Sequence, residues 1–153
     1  MVPASPDLPT DDAMRAWLRF LRLNQRIARL AARVMRTTGL SVPQFDLLST
    51  LSEREGVTQQ EIAERLYVTK GNISGLIDRM AEAGLVERRA LPQDRRSHAL
   101  YMTDAGRAAL ARGDALQRQL IAQTLGQLPS AEIMALYDIL GRWRDKVREL
   151  PEG

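Results

Sequence analysis

Cysteine is absent from this 153-residue sequence, and histidine occurs only once, as His98. Without cysteine the chain can form no disulfide, sense no oxidant through a thiol and bind no zinc through sulfur. A single histidine leaves too few nitrogen ligands for a metal site built by one chain. We therefore expect no metal site and no cofactor.

The sequence also lacks any long apolar run. No stretch approaches the roughly 20 apolar residues that a membrane-spanning helix requires. Residues 1–10 contain three prolines and no apolar segment of the kind found in signal peptides, so we expect them to form a flexible lead. These two absences predict a soluble, cytoplasmic protein without membrane contact.

Aromatic residues make up only 5% of the chain, whereas leucine, alanine, arginine, glutamate and glutamine, which favour helix, are abundant. The apolar spacing predicts four helices, a two-stranded hairpin and two further helices (α-α-α-α-β-β-α-α). The expected fold is therefore mainly α with a small β-hairpin wing.

Two kinds of segment follow from this pattern. Residues 41–103 contain three short helices and the hairpin, which is the outline of a winged helix-turn-helix DNA-binding domain. Residues 11–40 and 104–153 form helices whose apolar faces exceed what one chain can cover, and they predict a helical dimerisation region. The candidate dimerisation residues are Leu21, Leu136, Leu140, Trp143 and Val147.

The net charge of +3 indicates an anionic partner only weakly, and the distribution of charge is more informative. Residues 65–98 hold seven basic and four acidic side chains, although the longer segment 41–104 has eight basic and ten acidic ones. Positive charge is therefore concentrated around the fourth helix and the hairpin.

The fourth predicted helix carries small polar residues opposite its apolar side. Its two glycines, Gly71 and Gly75, cost roughly 1 kcal/mol each relative to alanine. Either they persist on a surface where stability is not limiting, or they let the helix backbone approach the major groove of DNA. The second interpretation gives these candidate DNA contacts: Thr69, Lys70, Gly71, Asn72, Ser74 and Gly75.

The hairpin loop carries Asp94, Arg95 and Arg96 at its tip, where two long cations can reach the negative potential of a minor groove. DNA would repel Asp94, so we expect this residue to hold Arg96 in an extended pose through a salt bridge. Arg88 and Arg89 at the base of the hairpin are candidate phosphate contacts. Alternatively, they protect the edge of the strand.

Seven arginines of the first helix recur at alternating spacings of four and three, which places them along one stripe. They are Arg15, Arg19, Arg22, Arg26, Arg29, Arg33 and Arg36. The stripe is either a solvated face paired with acids such as Asp138, Asp145 and Glu149, or a surface that borders an anionic-ligand pocket or strengthens attraction to DNA. The sequence leaves both interpretations open.

No motif in the sequence supports catalysis. It contains no glycine-rich phosphate loop, no nucleophile elbow, no metal-ligand spacing and no second histidine for acid–base chemistry. We predict that the protein is not an enzyme and has no catalytic residues.

Three short runs resemble the signature of MarR-type transcriptional regulators: Gly84-Leu85-Val86-Glu87-Arg88, Asp94-Arg95-Arg96 and Leu100-Tyr101-Met102-Thr103-Asp104-Ala105-Gly106. The resemblance extends back through residues 58–80 and to the order of the helices. It implies an obligate homodimer, two winged lobes that read a pseudo-palindromic operator, and a ligand pocket where the dimerisation helices meet the lobe. It also implies that Arg96 pairs with Asp94 and contacts a minor groove. Gly71 and Gly75 depart from the family pattern, in which bulkier polar residues are common at these positions.

The resulting hypothesis is a sequence-specific, homodimeric repressor that binds double-stranded DNA and responds to a small anionic aromatic ligand. The ligand class rests on the arginine stripe and on aromatic residues near the pocket that the family implies. The candidate pocket residues are Trp17, Arg15 and Phe45. The alternative is a winged-helix protein-interaction module without sequence-specific DNA binding, whose wing grips an acidic partner.

Overall fold

The computed structural model describes residues 10–66 and 70–150. Its elements, in chain order, are helix α1 (Asp11–Arg36), helix α2 (Val42–Glu53), strand β1 (Val57–Thr58), helix α3 (Gln59–Leu66), helix α4 (Lys70–Glu82), strand β2 (Val86–Ala90), strand β3 (His98–Met102), helix α5 (Asp104–Gln123), a 3₁₀ turn (Leu125–Gln127) and helix α6 (Ser130–Arg148). The predicted fold, mainly α with a small β wing, is confirmed.

Reciprocal hydrogen bonds between side chain and backbone begin two of the helices. The Ser41 hydroxyl accepts from the Gln44 backbone N–H at 3.3 Å, and the Gln44 side chain accepts from the Ser41 backbone N–H at 2.9 Å. Thr58 and Glu61 form the same pair before α3. The Thr58 backbone N–H is the main cause of a lowered pKa at the Glu61 carboxyl group. Both capping boxes follow directly from the sequence pattern.

Strand β3 lies in the middle of an antiparallel sheet, between β1 and β2. Leu100 of β3 pairs with Val57 on one side and with Arg88 on the other. The sequence predicts only the hairpin of β2 and β3, and β1 is an additional strand. The sequence pattern does not reveal β1, because two residues are too few to show an alternation of apolar and polar side chains. In addition, Thr58 caps α3 and is therefore recognised as the start of a helix.

The described chain divides into two compact units, and residues 29–118 form one of them. The predicted inward-facing residues of α4, including Ile73 and Ile77, are buried in its core. Met35 of α1 and Leu110 of α5 belong to the same core. This unit therefore extends beyond the predicted lobe of residues 41–103 because the adjoining ends of α1 and α5 pack on it.

Two glycines allow helix α5 to lie close to this core. A Cβ atom at Gly106 would lie 2.1 Å from the carbonyl oxygen of Leu85, and one at Gly113 would lie 2.5 Å from the ring of Phe45. Atoms cannot approach so closely, so any side chain here would push α5 away from the base of the hairpin and from α2.

Glu55, which follows α2, connects three parts of this unit. Its Oε1 atom accepts from the Met102 backbone N–H at 3.1 Å and from Nη1 of Arg107 at 2.9 Å. The segment after α2 is thereby fixed to the end of β3 and to the first turns of α5. These contacts hold the base of the hairpin in place.

The second unit comprises residues 10–28 and 119–150 of the described chain. The ring of Trp143 in α6 lies 5.7 Å from that of Trp17 and 4.8 Å from that of Phe20, centroid to centroid. No described residue of this unit is fully buried. Its exposed large apolar residues include Met14, Leu18, Leu21, Leu23, Ile27, Ile121, Met134, Tyr137, Ile139, Leu140 and Val147. The described part of this unit thus leaves most of its apolar surface uncovered.

None of the described helices combines the length and apolar character needed to cross a lipid bilayer. Within the same residues, no three histidine, aspartate or glutamate side chains come together as a metal-binding cluster.

Candidate nucleic-acid interface

Helix α4 buries one side and exposes the other. Ile73 and Ile77 are inaccessible to solvent, whereas Asn72 and Asp78 are exposed. Ser74 and Gly75 are half-buried beside them. Thr69 lies outside the described residues, and Lys70 and Gly71 are described only as the first residues of the helix.

Gly75 makes room for a cation that the sequence pattern does not single out. A Cβ atom at Gly75 would lie 3.4 Å from Nη1 of Arg79, so the guanidinium lies along the helix surface, one turn toward the N-terminus. Arg79 is exposed, and among the described residues no carboxylate lies within ion-pair distance of it. In the sequence, only the spacing of four residues between Gly75 and Arg79 indicates this contact, because residues four apart on a helix are neighbours.

A salt bridge joins α4 to the hairpin. The Arg88 guanidinium in β2 donates a hydrogen bond to the Asp78 carboxylate in α4. The Arg88 side chain is about one-third exposed, at 31%, and that of Asp78 is 54% exposed. Helix α4 and the wing are therefore held in one relative orientation by side chains as well as by the core.

The two arginines at the base of the hairpin point to opposite faces of the sheet. Successive strand residues alternate in direction, and Arg88 points toward α4. Arg89 lies on the other face, where Nε donates to Glu87 at 2.8 Å and the guanidinium carbon lies 4.0 Å from the centroid of the Tyr101 ring. Each predicted phosphate contact thus has an acidic partner within the protein.

The wing tip is a turn organised by Asp94. Its Oδ1 accepts from the Arg96 backbone N–H at 3.0 Å, and its Oδ2 accepts from the Ser97 hydroxyl at 2.9 Å. The Arg96 N–H, followed by the Ser97 hydroxyl, lowers the pKa of the Asp94 carboxyl group. The carboxylate is therefore ionised and bound to the main chain of the turn.

The predicted salt bridge between Asp94 and the Arg96 guanidinium is wrong for this structure. Asp94 holds Arg96 through its backbone N–H, because a short side chain two residues earlier in a tight turn lies next to the main chain. Arg95 and Arg96 are exposed, and neither has a carboxylate within ion-pair distance among the described residues. The wing thus presents two unpaired guanidinium groups.

The three residues predicted for a ligand pocket have different surroundings. Arg15 lines an open crevice of about 480 Å³ along α1. Trp17 packs on Trp143. Phe45 is 4% exposed and forms part of the core.

A separate crevice of about 540 Å³ lies beside Glu55. Three acidic and two basic side chains line it: Glu53, Glu55 and Asp114, with Arg54 and Arg107. With more acidic than basic side chains, this crevice does not favour the binding of an anion.

The chain is also similar in sequence to known proteins. Residues 38–97 match the sequence profile of the MarR family. An HTH-type transcriptional regulator of Bacillus cereus is 30% identical over 141 residues, which cover 89% of this chain and 92% of that protein.

Two solved structures have the same fold. AbsC, a MarR family transcriptional regulator from Streptomyces coelicolor, superposes with a TM-score of 0.83 at 23% identity and covers 94% of this chain and 99% of its own. The transcriptional repressor CouR, bound to a 23-mer DNA duplex, has a TM-score of 0.76 at 28% identity and covers 90% of this chain and 99% of its own. With its winged helix-turn-helix unit, its profile match and these relatives, the chain belongs to the MarR family of DNA-binding transcriptional regulators.

Proposed function

We propose that the chain is a homodimeric repressor that binds a pseudo-palindromic operator and is modulated by a small anionic aromatic ligand. The observation that carries the proposal is the joined pair of α4 and the wing: Asp78 holds Arg88, and the hairpin ends in the unpaired cations Arg95 and Arg96. A helix with small residues on its exposed side and a cationic wing fit two adjacent grooves of duplex DNA.

In the proposed complex, the N-terminal half of α4 enters the major groove. The candidate contacts there remain Thr69, Lys70, Gly71, Asn72, Ser74 and Gly75, and Arg79 joins them. The small residues let the helix backbone come close to the base edges, and the helix N-terminus suits a phosphate. Arg79 extends over Gly75 and adds a long cation to this surface.

The wing is proposed to contact the minor groove through Arg96, with Arg95 on the adjoining phosphates. Asp94 shapes the turn from which both arginines extend. Arg88 and Arg89 remain predicted phosphate contacts, and each would share its guanidinium with an acidic side chain of the protein.

Dimerisation is proposed because the described unit of residues 10–28 and 119–150 exposes so much apolar surface. Leu21 is 38% exposed, Leu140 39% and Val147 55%. A patch of this kind on a protein surface usually marks an interface. Two copies related by a twofold axis would present two lobes to an inverted repeat.

Two observations support the remaining parts of the proposal. CouR, which is 28% identical to this chain, is a transcriptional repressor. Arg15 and the half-exposed ring of Trp17, both on α1, offer a cation and an aromatic surface to an anionic aromatic ligand.

Arg96→Ala is expected to weaken binding to an inverted repeat about fivefold or more, because the loss of a specific arginine contact to DNA costs about 1–3 kcal/mol. Fluorescence anisotropy would measure this on the duplex that the wild-type protein selects from a random pool. Arg112→Ala removes the same charge from the exposed side of α5 and serves as the control. Equal affinity of Arg96→Ala and wild type would contradict the wing assignment. A wild-type protein that binds a scrambled duplex equally well would favour the protein-interaction module.

Asp94→Ala is expected to weaken DNA binding although it removes a negative charge near the phosphates. Simple Coulomb attraction predicts the opposite sign. The loss follows from two hydrogen bonds of the turn, to the Arg96 N–H and the Ser97 hydroxyl. Asp94→Asn removes the charge but keeps an acceptor, so its affinity should lie between those of wild type and Asp94→Ala in the same assay. Tighter binding by Asp94→Ala would show that charge outweighs geometry.

The wild-type protein is expected to have the mass of a dimer in light scattering at micromolar concentration. Leu140→Glu with Val147→Glu should shift it toward monomer, because two carboxylates would be buried in an apolar contact. Arg142→Glu changes charge on the same helix without removing an apolar side chain and should remain a dimer. A wild-type monomer at these concentrations would remove the dimer from the proposal.

Salicylate is expected to raise the melting temperature of the wild-type protein in a concentration-dependent way, as a ligand of the folded state does. Cyclohexanecarboxylate has a similar charge and no aromatic ring, so it should act more weakly. Arg15→Gln should reduce the salicylate shift. Identical shifts from both acids, or a full shift in Arg15→Gln, would argue against an anionic aromatic effector at this position.

A further inference from the structure

The arginine stripe of α1 is a row of seven cations on one continuous helix. Between Arg15 and Arg36 it extends about 32 Å at 1.5 Å per residue. Every one of the seven residues is exposed. Only Asp11 and Asp12, at the start of the helix, are acidic, so α1 carries a net charge of +5.

The stripe points away from the contact that α1 makes with α6. Trp17 and Phe20 pack on Trp143, and at about 100° per residue these two positions lie on the opposite side of the helix from Arg19, Arg22 and Arg26. The acids of α6 therefore do not face the stripe. Asp145 and Glu149, two of the predicted partners, instead pair with Arg144 and Lys146 of their own helix.

Ion pairs within the chain leave most of the stripe uncompensated. Among the described residues, the only carboxylate within 4.0 Å of a stripe arginine is that of Asp12, which lies 3.7 Å from Arg15. Both side chains of this pair are largely exposed, at 77% and 92%. Like charges three and four residues apart on a helix repel each other. An external polyanion would relieve this repulsion along the full length of the stripe.

We propose that the arginine stripe is a second DNA-binding surface, which contacts the phosphates of duplex DNA outside the operator without reading sequence. Duplex DNA presents one negative charge per about 1.7 Å of its axis, so it can neutralise a row of cations of this length. The guanidinium fork also suits phosphate oxygens. An acidic protein would need an equally long row of carboxylates. A lipid surface would use the apolar side of the helix together with its cations, and the vesicle assay below tests that alternative.

This inference rests on the proposed function, because DNA bound by the lobes supplies the flanking duplex. A regulator bound at its operator has flanking duplex at a high effective concentration, so even weak phosphate contacts add to affinity. This gain in affinity should fall steeply with salt. The slope of log K against log salt concentration should become steeper by about 0.9 for each phosphate that the stripe contacts.

The test compares two duplexes that share the repeat selected by the wild-type protein. One ends at the repeat, and the other adds random-sequence flanks. The triple variant Arg19→Gln, Arg22→Gln, Arg26→Gln should bind the short duplex within about twofold of wild type and the flanked duplex about tenfold more weakly, with a salt slope lower by about two to three. The matched control, Arg112→Gln, Arg118→Gln, Arg142→Gln, removes three exposed charges elsewhere and should keep the preference for the flanked duplex.

Several results would overturn the inference. They are a wild-type protein with no preference for the flanked duplex, a triple variant that keeps this preference, and a triple variant that has become monomeric in light scattering. Loss of binding to phosphatidylserine vesicles in the triple variant, with the flank preference intact, would assign the stripe to lipid instead. Arg96→Ala separates the two proposals, because it should weaken binding to both duplexes by the same factor while the flank-dependent gain persists. A melting temperature of the triple variant at or above that of wild type would verify that it folds.

Discussion

The contact between Asp78 and Arg88 sets the geometry on which this DNA-binding unit depends. It joins the exposed side of α4 to β2, and Glu55 performs the corresponding task at the end of β3. Ion pairs this exposed contribute only about 0–1 kcal/mol to stability, so their importance lies in orientation. With both strands of the hairpin attached, α4 and the wing form one body, and in the proposed complex an error in the angle between them would misplace one of the two on DNA.

Local signals in the sequence predict much of the fold. The capping residues Ser41 and Thr58 mark helix starts, and the apolar spacing of α4 identifies its buried side correctly. What the sequence misses depends on residues brought together by packing. β1 becomes a strand only because Leu100 offers an edge to Val57, and no pattern within two residues can indicate that.

In the candidate site too, the sequence predicts the local features and misses those that depend on packing. The sequence identifies the wing and its cations, because charge at a hairpin tip is a local feature. It assigns Asp94 to the wrong partner atom, since the choice between a guanidinium and a backbone N–H depends on how tightly the turn closes. The partners of Arg88 and Arg89 depend on strand register and on α4. Which of these residues contact DNA remains a prediction, and Arg79 joins the list because of the space above Gly75.

The positive charge of the wing tip comes from two arginines. The whole chain contains only two lysines, Lys70 and Lys146. A guanidinium does not lose its proton in proteins, and lysine acetylation cannot neutralise it. Asp94, whose pKa is lowered by the turn it holds together, also keeps its charge in mild acid. Neither mild acid nor lysine acetylation therefore changes the charges of Arg95, Arg96 and Asp94, so these two signals cannot regulate the proposed contact between the wing tip and DNA.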